Sequence, residues 1–311
     1  MPRIATFAAL PALAACLAAP HAHAGVAGAT LPDVAIVAAA SNTQNPETNT
    51  RFTDPRDKLM ATGLFNSVSI FNATQFNPTG GTPTLEQLQQ WDAVLVWSND
   101  SFQDAVAMGD VLADYVDSGG GVVVAVFTNT SLNTARFLQG RWQTADYIAI
   151  PQNGNFFQAT GGLGQILIPD HPIFDGVDTF LTSTGVTQGG QLFGGYRPNN
   201  MTVTPGSTKV ATWNTGHTLV AIAPNPRVVE LGFHPVSSAV NAGYWDQTTD
   251  GARLMANALL FTIPEATSCP GDLNGDNVVD FEDLSEVLGG FGVDYDFNDL
   301  SEVLANFGNE C

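Results

Sequence analysis

The chain has 311 residues, with 10 Lys and Arg against 30 Asp and Glu and a formal net charge of −20 at pH 7. That length allows one domain with a substantial core and a small appendage. So few cations, spread so thinly, offer no patch for phosphate, which argues against nucleic acid as a partner.

Residues 1–24 read as a signal peptide. Arg3 is the single charge ahead of an Ala/Leu-rich run that ends in Ala22-His23-Ala24, an A-x-A cleavage pattern. The run is too short for a transmembrane span. Leu13-Ala14-Ala15-Cys16 offers a second route, a lipobox that would place a lipid on Cys16. The mature chain is therefore expected to be secreted or periplasmic, with a lipoprotein anchored at Cys16 as the alternative.

Residues 31–263 alternate apolar runs with helical patterns. Val34–Ala40 is a continuous apolar run, the pattern of a strand buried on both faces. Pro55–Ala61 reads as a short helix capped by Asp54, and Val68–Phe71 as a second strand. Thr84 and Gln87 form a T-x-x-Q capping box that opens a helix to about Gln90. Ala93–Trp97 is a third strand, and an amphipathic helix over Asp104–Val116 stops near Gly119. Gly121–Phe127 is the fourth strand. This alternation predicts a parallel sheet covered by helices on both faces. From Leu138 to Pro205 the chain turns rich in Gly, Asn, Thr and Pro, which predicts loops and short irregular strands. Three strands follow, Lys209–Trp213, Thr218–Ala223 and Val228–Phe233, and then a helix over Gly251–Phe261 capped by Asp250.

In open α/β sheets ligands bind beyond the carboxyl ends of the strands. Those ends present Ser41 and Asn42; Ser98, Asn99 and Asp100; Thr128 and Asn129; and His234. Such residues also serve as ordinary caps and turn formers. The functional reading makes Asn99, Asp100, Asn129 and His234 a polar pocket for a hydroxyl-rich ligand, with His234 as base or donor. As catalytic candidates, only Asp100 and His234 stand out. Trp97 is expected in the core; Trp142 and Trp245, in loop-rich stretches, are the candidates for stacking on carbohydrate. His171 is expected to fix a turn and His217 to be exposed in a hairpin.

Four segments carry a family likeness: Asp92–Trp97 (DAVLVW), Gly119–Val126 (GGGVVVAV), His171–Val177 (HPIFDGV) and Asp250–Leu260 (DGARLMANALL). With them the domain resembles the class I glutamine amidotransferase-like fold and, within it, the ThuA-like relatives. The resemblance implies an α/β, flavodoxin-like doubly wound parallel sheet. Active amidotransferases carry a cysteine on the turn after the strand that Val122–Phe127 matches; this chain has Phe127, Thr128 and Asn129 there. No G-x-S-x-G elbow occurs either, so glutamine hydrolysis is not expected.

After a linker over residues 264–268, residues 269–311 form a second, acidic module with eleven carboxylates and no Lys or Arg. Asp272–Asp283 (DLNGDNVVDFED) places oxygen donors at loop positions 1, 3, 5, 9 and 12, the spacing with which a twelve-residue loop wraps Ca²⁺. Asp272, Asn274, Asp276, Asp280 and Asp283 would ligate through side chains and Val278 through its carbonyl. Asn277 stands at position 6, where φ > 0 is usual. The motif D-L-S-E-V-L occurs at Asp283–Leu288 and again at Asp299–Leu304, each followed by Phe-Gly, so the module is a short duplication. The second copy has Ala305 where the closing carboxylate belongs, so one calcium site is expected. Once the signal is removed only Cys269 and Cys311 remain, bracketing the module. In an oxidising compartment they read as one disulfide, worth on the order of 3–4 kcal/mol in the chain-entropy model.

This segment resembles a type I dockerin, a small α-helical module of EF-hand-type loops that docks onto cohesin domains. By motif position the resemblance assigns partner choice to Phe281 and Glu282. It implies a cohesin-like or cell-surface protein as partner, and Ca²⁺ as cofactor. The sequence thus supports a secreted calcium-binding protein with a non-catalytic domain. The alternative is a secreted hydrolase acting on polysaccharide or other carbohydrate.

Overall fold

The computed structural model describes residues 31–182, 186–188, 191–264, 270–276 and 278–309, without side-chain detail at 186–188 and 191–193. The signal segment with Cys16, the linker beyond Pro264, Asn277, Cys269 and Cys311 lie outside the described residues.

The strands are β1 Asp33–Ala39, β2 Ser67–Asn72, β3 Ala93–Ser98, β4 Gly121–Ala125, β5 Phe156–Gln158, β6 Leu163–Ile166, β7 Val186–Gln188, β8 Gln191–Phe193, β9 Tyr196–Pro198, β10 Thr208–Trp213, β11 Thr218–Ile222 and β12 Val228–Leu231. The helices are α1 Thr50–Met60, α2 Leu85–Leu88, α3 Ala105–Asp117, α4 Arg141–Thr144, α5 Gly251–Thr262, α6 Phe281–Gly289 and α7 Phe297–Asn306. Eight strands form one sheet in the order β2-β1-β3-β4-β12-β11-β10-β6. The first five are mutually parallel, and β11, β10 and β6 continue antiparallel. The protein is therefore mixed α/β with a large, mostly parallel sheet. The parallel part reads 2-1-3-4-5 by order of appearance, a doubly wound order.

Alternation along each strand feeds two cores. Val34, Ile36 and Ala38 of β1 face α1 and α5 together with Leu95, Trp97, Phe52, Leu59 and Leu254. Ala35, Val37 and Ala39 face the opposite side with Val94, Val96, Met108, Leu112 and Trp142. Each fully buried Val, Leu or Ile contributes roughly 1.5–3 kcal/mol over leaving it in water. Because both faces are covered, β1, β3 and β4 need apolar residues at nearly every position, which is why they were legible as continuous runs.

Several expectations are corrected. The first helix begins at Thr50, with Asn49 as its cap accepting from Arg51 N, and Pro55 lies inside it. Asp54, expected as the cap, instead accepts from Ser237 N (2.7 Å) and Ser237 Oγ (2.8 Å), pinning the loop after His234. The fourth strand ends at Ala125 rather than Phe127. Asp250 sits before α5 but gives it no side-chain cap; its Oδ2 accepts from the backbone of Asp178 and Thr179. The sheet is mixed because β10, β11 and β12 are joined by tight turns, and β6, from the loop-rich stretch, pairs at its edge. His217 is buried, stacked on Phe157 with ring nitrogens on Thr215 and Asn199. Trp142 and Trp245 are both 1% exposed: the first stacks on Tyr147, and the second donates to Pro235 O. Neither indole presents a face to carbohydrate. The Thr84–Gln87 capping box is present, and His171 accepts from Ile173 N as a turn former.

The C-terminal module has its own small core of Val279, Val287 and Val303. Its two helices open with the same device, Asp280 with Asp283 and Asp296 with Asp299 forming reciprocal caps. Val279 exchanges backbone hydrogen bonds with Asn309 O and Gly308 N, so the loop is tied to the end of the last helix. The duplicated apolar residues divide in the same way in both copies: the valines are buried, while Phe281 and Phe297 are 71% and 72% exposed and Leu288 and Leu304 both 57%.

Candidate functional site

The carboxyl ends of β1, β3, β4 and β12 converge as the strand order requires. Asn99 and Asp100 both donate their backbone N–H to Ala39 O at 2.8 Å, which holds the β3 end against β1. Ser98 Oγ donates to Arg136 O (3.0 Å), and Thr128 Oγ1 to Ser98 Oγ (3.2 Å). Thr128 is fully buried, so its hydroxyl is a wall group rather than a presented nucleophile. Phe127 fills the turn after β4. Its ring meets Tyr196 (4.7 Å), Phe156 (5.8 Å) and His234 (5.6 Å), and the Arg136 guanidinium lies 5.6 Å from its centre.

His234 is 4% exposed and packs edge-on to Tyr244 at 4.9 Å. Its Nδ1 lies 3.0 Å from Val126 O, so Nδ1 carries the proton and donates, leaving Nε2 as an acceptor. Nε2 is buried and without a partner. Burial pushes the His234 pKa down to about 4, against the Val126 carbonyl and with help from the charges of Arg51 and Arg136. Beside it lies a void among Tyr196, Phe233, Tyr244 and Trp245 with room for about one water.

The four residues expected to share a pocket do not behave as one group. Asp100 lies near Arg136, whose charge it favours, and no hydrogen bond joins it to His234. Asn129 is 1% exposed and points inward: Nδ2 reaches Leu231 O at 3.4 Å, and the amide acts on Glu230. Glu230, fully enclosed on β12, accepts from Ala149 N (2.8 Å). Burial drives its pKa up to about 7 against the Ala149, Asn129 and Ile150 donors. Sequence reading passed over Arg51, Arg136, Tyr196 and Glu230. Glu230 was visible as the lone charge in V-V-E-L, and Arg136 as a cation with no acid within four residues.

In the C-terminal loop each donor hooks the backbone ahead of it. Asp272 Oδ1 accepts from Gly275 N (2.7 Å), Asn274 Oδ1 from Asp276 N (2.8 Å), Asp276 Oδ1 from Val278 N (2.9 Å) and Asp280 Oδ1 from Glu282 N (2.7 Å). Asp283 is fully buried and spans the loop, accepting from Leu273 N (2.7 Å) and Asn274 N (3.1 Å) through Oδ1 and from Asp280 N (2.9 Å) through Oδ2. Burial works against its charge, but the Asp280, Asn274 and Leu273 donors outweigh it and hold its pKa below the usual carboxylate range. The donors are all oxygen, which suits a hard cation. They are strung along the loop rather than drawn together: among the described residues no three His, Cys, Asp or Glu side chains are gathered to hold a metal ion.

No helix among the described residues is long and apolar enough to cross a membrane. No protein-family model and no curated protein matches the chain. Solved structures similar in outline include the cytoplasmic protein STM3548 of Salmonella typhimurium, at 10% identity, 76% of this chain, 100% of that one and a TM-score of 0.45. Another is a ThuA-like protein from Bacteroides uniformis, at 12% identity, 79% and 97% coverage and a TM-score of 0.47. The cytoplasmic protein STM1381 of Salmonella typhimurium LT2 matches at 12% identity, 75% and 100% coverage and a TM-score of 0.45. At these identities and TM-scores the likeness carries no argument, and no residue role passes across it.

Proposed function

We propose that the chain is an exported calcium-binding protein: a non-catalytic, class I glutamine amidotransferase-like (ThuA-like) domain carrying a dockerin-like docking module. The observation that carries the reading is Asp283. A buried carboxylate at loop position 12 that accepts from the backbone at positions 2, 3 and 9 ties the two ends of the loop together, leaving the other oxygens to close in on an ion. Asp272, Asn274, Asp276, Asp280, Asp283 and the Val278 carbonyl would hold the ion. Bound Ca²⁺ would supply positive charge to a segment that has none of its own. The repeated exposure of Phe281 and Phe297, and of Leu288 and Leu304, supports docking of a protein, a cohesin-like or cell-surface partner, on the helices. For the domain, the absence of a cysteine at the strand turn and the enclosure of Thr128 favour binding over catalysis. The hydrolase alternative would need Asp100 and His234 to act together, and no hydrogen bond links them.

Calorimetry on the chain lacking residues 1–24 tests the reading. One bound Ca²⁺ is expected, with affinity in the range of about 10⁻⁴–10⁻³ M common for extracellular modules, and lost in Asp272→Ala. Absence of heat, and of any change in amide exchange over residues 270–289, up to about 10 mM Ca²⁺ would remove the proposal.

A further inference from the structure

The ten cations of this chain are scarce, and nearly all are engaged. Arg56, Arg141 and Arg253 pair with carboxylates. Lys58 donates to Gln247, Lys209 to Met201 O, Arg227 to Gly119 O, and Arg197 to Gly195 O and Ala159 O. Among the described residues the exceptions are Arg51 and Arg136, whose guanidinium groups donate no hydrogen bond; Arg136 Nε is buried without a partner. Acids outnumber bases three to one, yet among the described residues these two cations have no carboxylate in salt-bridge reach.

Both charges reach His234. Arg136 lies over Phe127, whose ring touches His234 and Tyr196. Arg51 lies in the first turn of α1, and Asp54, three residues on, grips Ser237, three residues after His234. Each guanidinium charge opposes the other and both act on the imidazole, while Asp100, beyond salt-bridge reach, favours the charge of Arg136. Two like charges acting on one another, one of them partly desolvated, carry a cost that Asp100 at a distance offsets only in part and a bound anion would relieve. His234 Nε2, also orphaned, is an acceptor; it repels an anion's oxygen and accepts from a hydroxyl. A hydroxyl is the size of the single water for which the neighbouring void has room.

We propose that the strand ends around His234 bind a hydroxyl-bearing oxyanion, such as a sugar acid or sugar phosphate, with Arg51 and Arg136 on the anionic group and His234 Nε2 accepting from a hydroxyl. Arg forks suit planar or tetrahedral oxyanions in bidentate fashion. The site is independent of the calcium loop and survives if that loop binds nothing. Since the net charge of −20 repels anions at long range, affinity must come from this local pair, and salt will weaken it.

The experiment is calorimetry at fixed ionic strength with D-glucuronate, D-glucose 6-phosphate and D-glucose, on the wild type, Arg51→Gln and Arg136→Gln. Binding of one or both anions is expected, the pair distinguishing carboxylate from phosphate, with at least a tenfold loss in each variant and no binding of glucose. Nitrogen-15 spectra should show the His234 Nε2 resonance moving on addition of the anion that binds. Arg51 is half-exposed, so its variant is expected to fold even if the Arg136 variant does not. The proposal falls if neither anion binds at about 20 mM, if glucose binds equally well, or if a folded Arg51→Gln binds undiminished.

Discussion

Glu230 and Asn129 meet inside the α/β domain, and each leaves one side-chain oxygen, Oε2 and Oδ1, without a hydrogen-bond partner. A carboxylate offers only acceptors, and a carboxyl proton gives the buried Glu230 a donor. Burial already favours that proton, holding the Glu230 pKa at about 7 against 4.5 in the open chain. A raised folded-state pKa means the contribution is fully present below 4.5 and lost as pH rises through about 7. The loss is on the order of 3 kcal/mol. Glu230→Gln keeps a donor and cannot ionise. In thermal unfolding it should match the wild type near pH 4.5 and exceed it at pH 8; equal midpoints at both values would refute the assignment.

His234 pulls the other way. Its folded pKa of about 4 lies below the ordinary 6.5, so its stabilisation is present above 6.5 and disappears as pH falls toward 4. The groups around it are the charges of Arg51 and Arg136 and the rings of Phe127, Tyr196 and Tyr244. His234→Gln should flatten the dependence of unfolding free energy on pH between 6.5 and 4. An unchanged slope in that interval would mean that His234 is solvated and charged in the native state.

How much of this was readable beforehand follows from what each residue faces. β1, β3, β4 and β12 are packed on both sides, so their apolar runs stood out, and Thr84 with Gln87 announced α2 because a capping box is local chemistry. Asp54 misled because a capping residue and a tertiary anchor look alike in sequence; its true partner, Ser237, lies 183 residues away. Trp142 and Trp245 misled because position in a loop-rich stretch does not reveal burial. Of the pocket, His234 was found from its place after a strand, but Arg51 carries no local signature and Arg136 only its distance in sequence from any acid. What marks them together is a shared lack of partners, a property of the folded chain. The calcium loop is the reverse case: its ligand spacing is written in twelve consecutive residues.

Gly109, in the middle of α3, is needed for a close approach that a side chain would block. A Cβ there would stand 1.9 Å from Gln139 O, and Gln139 N is itself bonded to Ala105 O at 2.9 Å. Backbone cannot swing aside as a flexible side chain can. Gly109→Ala should therefore lower stability by about 1–3 kcal/mol despite the better helix propensity of Ala. Chemical denaturation measures this, and a variant more stable than wild type would show that the Gln139 segment is free to move.

Asp283 and Asp272 separate folding of the C-terminal module from ion binding. Asp283→Ala leaves the N–H groups of Leu273, Asn274 and Asp280 without their acceptor, each at a cost of about 1–3 kcal/mol where buried. The module's fully buried apolar residues are Val279, Val287 and Val303, too thin a core to absorb such a loss. Asp272 holds Gly275 N at the exposed rim, so Asp272→Ala should spare the apo fold and remove the ion. Hydrogen exchange over residues 278–289 reads both effects. In chelator, Asp283→Ala should exchange much faster than wild type and Asp272→Ala about equally; in millimolar Ca²⁺ the wild type alone should gain protection. Wild-type protection in apo Asp283→Ala would mean that the two helices hold together without the carboxylate that spans the loop.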